Sequence, residues 1–187
     1  MIDLLETGYA WTAERVARVT PDDLDSPTPC DGWLLRDLLD HMLDSLERLA
    51  GAAEGETAEP GPSDTGVRPT TDRLGDDCGL GAFAAVRQWA MAVWRRPDVM
   101  DRTVELPLGS VPAPMAAHMN LVEVVVHGWD VSQATGEAAT IPPDLADPVL
   151  EFCRGTVEPA RGRAFGPDLE LGDTVSERVV AFLGRKP

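Results

Sequence analysis

Positive charge is the scarcest resource in this chain. Lys and Arg total 16 against 32 Asp and Glu, a formal net charge of −16. Such a surface repels phosphate backbones and anionic lipid headgroups, which excludes nucleic acid as a direct partner and a membrane surface as a docking site. Cysteine is also sparse. Cys30, Cys78 and Cys153 are odd in number and widely spaced, with no C-x-x-C, so a disulfide framework is excluded and free thiols in a reducing compartment are expected. No uncharged apolar run of about 18 residues occurs, which excludes a spanning helix. The first ten residues, MIDLLETGYA, lack a basic cluster and do not form a signal peptide. A cytoplasmic location follows. Histidine is limited to His41, His118 and His127, which narrows the search for chemistry.

What is present is helical patterning on an ordinary globular composition, 43% apolar and 26% charged. At 187 residues the chain is read as one domain, 1–187, large enough to bury a core without staples. Apolar spacing predicts helices over 3–19, 33–50, 80–96, 113–135 and 143–156, and a short last helix opened by a Thr174-to-Glu177 capping box and ending at Gly184. Asp31 is the expected N-cap of the second helix and Gly51 its stop. Residues 103–112 alternate weakly around a Gly-Ser turn, which fits a small hairpin. Residues 52–79, rich in Gly, Pro, Glu, Asp and Thr, read as a long mobile loop, either a cover for a site or plain surface.

The decisive feature lies in the fourth helix. Glu123 interrupts Leu121, Val122, Val124, Val125 and Val126, and a carboxylate among valines is costly unless compensated. His127 follows four residues on, about 40° round the helix, and Asp130 falls on the same side. A divalent cation would satisfy this group, as would a buried arginine or His127 itself. His118 lies about 180° from His127 on the same helix and faces elsewhere. His41, at the edge of the second helix's apolar stripe, is the better third ligand, though it also fits an ordinary boundary histidine. Two histidines and a carboxylate leave coordination positions open, the pattern of a catalytic site. Trp33 and Trp129 read as core packing. Cys30 reads as a packed thiol that could approach the metal. Arg36 with Asp37, and Arg161 with Arg163, read as surface ion pairs.

Two segments carry a family resemblance. TPCDGWLLRDLLDHM (28–42) resembles the "TPC-x-GW-x-x-RDLL-x-H" opening of the actinobacterial mycothiol-dependent maleylpyruvate isomerase-like proteins, and LVEVVVHGWDVSQATG (121–136) resembles their "E-x-x-x-HGWD-x-x-x-ATG" helix. These proteins belong to the DinB-like superfamily. The resemblance implies an all-α, up-down-down-up four-helix bundle, here with short extra C-terminal helices. It also implies a divalent metal, zinc before nickel or another, held by His41, Glu123 and His127. Asp130 matches the family's polar residue after the second metal histidine and is the candidate catalytic residue, either orienting His127 or moving a proton. The isomerases resemble this chain only in their N-terminal part. The implied function is therefore a metal- and mycothiol-type-thiol-dependent transferase or isomerase of unknown substrate, with a thiol and an electrophilic small molecule as partners and a homodimer as a reasonable assembly. The alternative is a non-catalytic metal-binding or interaction module.

Overall fold

A computed structural model of the chain describes residues 1–56 and 73–187. Helix α1 spans Ile2–Val16, α2 Leu35–Glu54, α3 Leu80–Trp94, α4 Ala113–Ala134, α5 Pro143–Thr156 and α6 Val175–Phe182. Strands β1, Thr103–Leu106, and β2, Gly109–Pro112, form one antiparallel hairpin between α3 and α4. The fold is all-α apart from this hairpin, as expected. In the four-helix bundle α1 packs on α4 and α3, and α2 packs on α4 and α3, so α1 sits diagonally across the bundle from α2, and α3 from α4. That arrangement brings α2 and α4 together lengthwise. The core is continuous and drawn from every helix: Leu38, Met42 and Leu46 of α2 meet Leu121, Val124 and Val125 of α4, with Leu5 and Tyr9 of α1 and Phe83 of α3 closing it.

Several expectations from the sequence are corrected at element ends. The N-cap of α2 is Leu34, and the capping carboxylate is Asp37, whose Oδ2 accepts the Leu34 N–H at 3.0 Å. Asp31 lies too far upstream to reach the first turn. Asp37 is thereby drawn inward, and Arg36 turns instead to Asp25, at 2.6 Å. Helix α2 runs through Gly51 to Glu54 and stops at Gly55, whose φ of 109° is left-handed. The hairpin turns at Pro107 and Leu108, with Gly109 and Ser110 inside β2. Arg161 pairs with Glu158 at 2.6 Å and also caps the carbonyls of Gly166 and Phe182. The long loop expected over 52–79 falls mostly outside the described residues. Of its described parts, 52–54 complete α2 and 75–77 form a single 3-10 turn.

Two glycines set the frame of the site. A Cβ on Gly128 would stand 2.3 Å from Thr12 Oγ1 and 2.9 Å from the Trp11 ring, so its absence lets α1 lie directly on α4 beside His127. The Thr12 hydroxyl uses this closeness to donate to the Val124 carbonyl at 2.7 Å. At the other end of the chain Gly184 ends α6 with a φ of 87° and packs on Gly166. The Arg185 N–H then reaches back to the Val180 carbonyl at 2.9 Å. This left-handed helix ending turns Arg185 inward, toward α4.

Candidate metal centre

Helix periodicity places Glu123 and His127 one turn apart on α4, and the α2–α4 packing brings His41 opposite them. The three donor atoms converge. Glu123 Oε2 stands 3.4 Å from His41 Nε2 and 3.3 Å from His127 Nε2. The two imidazoles meet edge to face, with ring centroids 5.0 Å apart. Glu123 Oε2 is buried and has no hydrogen-bond partner, although it has two nitrogens close by. A buried carboxylate oxygen with imidazole nitrogens beside it but no hydrogen bond needs an explanation. Donor atoms bonded to one tetrahedral zinc at about 2.0–2.1 Å lie ~3.3–3.4 Å from one another; both spacings from Glu123 Oε2 match this, and all three donors lie within 4.8 Å of one another. The side chains of His127, His41 and Glu123 are 10%, 14% and 25% exposed, so the cluster lies at the margin of the core with Glu123 its most exposed member.

Behind His127 lies a second layer. Asp130, fully buried on α4, accepts the His127 Nδ1–H through Oδ2 at 2.9 Å. This leaves His127 Nε2 as the nitrogen that faces the other donors, the usual outer support of a ligating histidine. Arg185 grips the same carboxylate with a fork, Nε to Oδ1 at 2.7 Å and Nη2 to Oδ2 at 2.8 Å. Cys30 completes the cluster, with Sγ 3.5 Å from Asp130 Oδ2 and 3.4 Å from Arg185 Nη2. The loop holding Cys30 is knotted by its own bonds: the Thr28 N–H donates to the Trp33 carbonyl at 3.1 Å, and the Trp33 N–H to the Cys30 carbonyl at 3.0 Å. It presents Trp33 edge-on to the His41 ring, centroids 4.7 Å apart.

Electrostatics follow from this packing. Burial pushes the Glu123 carboxyl upward, but the imidazoles of His127 and His41 outweigh it and hold the group well below its ordinary value. Burial likewise pulls the His127 imidazole down, yet Asp130, Cys30 and Glu123 raise it well above its ordinary value. For Asp130, burial opposes the charge, and Arg185 together with His127 holds the carboxyl at about 2. The cluster thus keeps its carboxylates charged in a buried setting, which pairing alone makes tolerable.

Cys30, His127 and Asp130 form a second group of donors within 4.8 Å of one another. It suits a metal poorly, because both Asp130 oxygens are already taken by Arg185 and one by His127 Nδ1 as well. His118 stays out of the site: its ring stacks on Phe152, centroids 5.1 Å apart, and Nδ1 lies 2.8 Å from the Pro114 carbonyl. Trp129 is core, 5% exposed. Sequence reasoning brought together His41, Glu123, His127 and Asp130 but missed Arg185. No helical spacing links a tail residue to a position 55 residues earlier; only the carboxylate of Asp130, with no Lys or Arg within a helix turn of it, signalled that a permanent cation had to come from elsewhere.

Two uncharacterized proteins from two strains of Mycobacterium tuberculosis are each 29% identical over 181 residues, covering 92% of this chain and 91% of theirs. Among solved structures, the mycothiol-dependent maleylpyruvate isomerase matches with a TM-score of 0.53 at 19% identity, over 80% of this chain. A histidine-to-alanine mutant of that isomerase matches equally, at 18% identity. The chain spans 65% of the isomerase's length. No described helix is long and apolar enough to cross a membrane. The profile described as the mycothiol maleylpyruvate isomerase N-terminal domain matches residues 5–132, which carry His41, Glu123, His127 and Asp130, and the chain belongs to that family.

Proposed function

We propose that this protein binds one divalent metal, zinc by its donor set, through His41, Glu123 and His127, and uses it to activate a mycothiol-type thiol toward an electrophilic small molecule. The observation that carries the reading is Glu123 Oε2, buried without a hydrogen bond and equidistant from two imidazole nitrogens. Two nitrogens and one carboxylate leave room for an exogenous ligand, as in catalytic zinc sites. When bound, the metal supplies a Lewis acid that lowers the pKa of a coordinated thiol, so that thiolate exists at neutral pH. The chain's own residues supply the rest. Asp130 holds the His127 Nδ1–H so that Nε2 stays directed at the centre. Asp130 is fully buried, so it acts here as a positioning residue and does not touch substrate. Trp33 walls the His41 side. The chemistry is thiolate addition to, or displacement at, an electrophilic carbon, which is the logic of a thiol-dependent transferase or isomerase.

Cobalt substitution tests this reading, because thiolate ligation to cobalt gives an intense charge-transfer band in the near ultraviolet. Protein loaded with one cobalt per chain should develop the band on adding a mycothiol-type thiol, and not with its S-methylated analogue. Thiol binding should release about one proton near neutral pH. A silent spectrum in fully loaded protein would leave a non-catalytic metal-binding module. Absence of any stoichiometric metal after reconstitution would remove the centre itself.

A further inference from the structure

The metal centre is built on α2 and α4, yet its deepest contact comes from the end of the chain. Arg185 is 8% exposed and Asp130 fully buried. Removing both charges from water is costly, and apolar side chains of similar volume commonly stabilise a core as well or better. Stability alone therefore gives little reason for this pair. Its geometry gives another. The guanidinium fork binds both Asp130 oxygens, at 2.7 and 2.8 Å, and so fixes the plane of the carboxylate. Oδ2, so oriented, also accepts the His127 Nδ1–H at 2.9 Å, with Cys30 Sγ a longer 3.5 Å from the same oxygen. Arg185 is itself aimed by the Gly184 turn and by its N–H bond to Val180.

We propose that Arg185 is a positioning residue of the metal centre, orienting the His127 ring through Asp130 and thereby coupling metal affinity to docking of the C-terminal tail. The inference rests on the metal reading above, but part of its test does not need a metal. An imidazole ring held by one good hydrogen bond can still swing; held by a carboxylate that is itself clamped bidentately, it cannot. Lysine cannot replace the clamp, since an ammonium lacks the planar fork.

The test uses Arg185→Lys and Arg185→Met in the full chain, with three readouts. In metal-free protein, the His127 Nδ1–H resonance should exchange with solvent at least tenfold faster in both variants than in wild type. Zinc affinity, measured by competition with a chelator, should fall about 10–100-fold, the usual cost of losing an outer support. Zinc should slow amide exchange of residues 183–187 in wild type and do so less in the variants, since coupling is reciprocal. Arg185→Met on an Asp130→Asn background should cost little more than Asp130→Asn alone, because Arg185 acts through that carboxylate. If Arg185→Met does not fold, Arg185→Lys decides. A lowered melting temperature with unchanged His127 exchange and unchanged zinc affinity would make Arg185 merely structural and overturn the proposal, as would full additivity with Asp130→Asn. If wild type binds no zinc, the metal reading fails on its own, and His127 exchange alone decides this one.

Discussion

Replacing Glu123 with glutamine keeps the shape of the side chain and removes its charge, so it separates a ligand from a structural carboxylate. Ligand binding stabilises the folded state by mass action: at zinc 1,000-fold above Kd the gain is about 4.1 kcal/mol. For a chain of this size ~1 kcal/mol moves the melting temperature by about 2–4 °C. Zinc-loaded wild type should therefore melt roughly 8–16 °C above the metal-free form. In the structure Glu123 is the one anionic member of the set, and its Oε2 is the atom both imidazoles face. If its loss weakens zinc about 1,000-fold, the same zinc concentration equals the new Kd and the gain shrinks to ~0.4 kcal/mol, about 1 °C. In the metal-free protein the direction is opposite to a simple desolvation argument. The two imidazoles hold the Glu123 carboxyl well below its ordinary value, so the charge contributes stability above the unfolded-state pKa, and that contribution fades as pH falls through the folded one. Glu123→Gln should thus lower the metal-free melting temperature modestly at neutral pH. Differential scanning calorimetry of both proteins, with chelator and with excess zinc, measures all four states. An equal zinc-induced rise in wild type and variant would refute the reasoning and make Glu123 a partner of the histidines only.

His118→Ala should retain full zinc stoichiometry by elemental analysis, because its ring is occupied by Phe152 and the Pro114 carbonyl; loss of metal in folded protein would make His118 a ligand. Gly128→Ala should destabilise by at least about 1–3 kcal/mol in urea titrations, as overpacking does, since the added methyl meets Thr12 Oγ1 at 2.3 Å and must separate α1 from α4; a change within ~0.5 kcal/mol would contradict the close approach. Zinc uptake should release close to one proton from His127, whose imidazole is held well above its ordinary value in the metal-free chain, so zinc affinity should rise with pH through neutrality. Calorimetry in buffers of different ionisation enthalpy reads that proton, and a pH-independent affinity would count against His127 as a ligand.

Helical content was legible in the sequence because the bundle is held by amphipathic stripes, and Leu38, Met42 and Leu46 recur at the period that buries them. The Glu123–His127 pairing was legible for the same reason: four residues along one helix fix a shared face whatever the rest of the chain does. Element ends were less legible. Asp31 and Asp37 are equally plausible caps by type, and only the path of the 28–34 loop, turned by its own hydrogen bonds, made Asp37 the one that reaches the Leu34 N–H. The choice of His41 over His118 followed from helical phase, but its distance of 3.4 Å from Glu123 came from the packing of α2 on α4. Arg185 belongs entirely to the tertiary structure. A buried carboxylate needs a cation, and local sequence can state that need. Which arginine meets it depends on where a glycine turn after α6 delivers the chain, a global property that no local periodicity encodes.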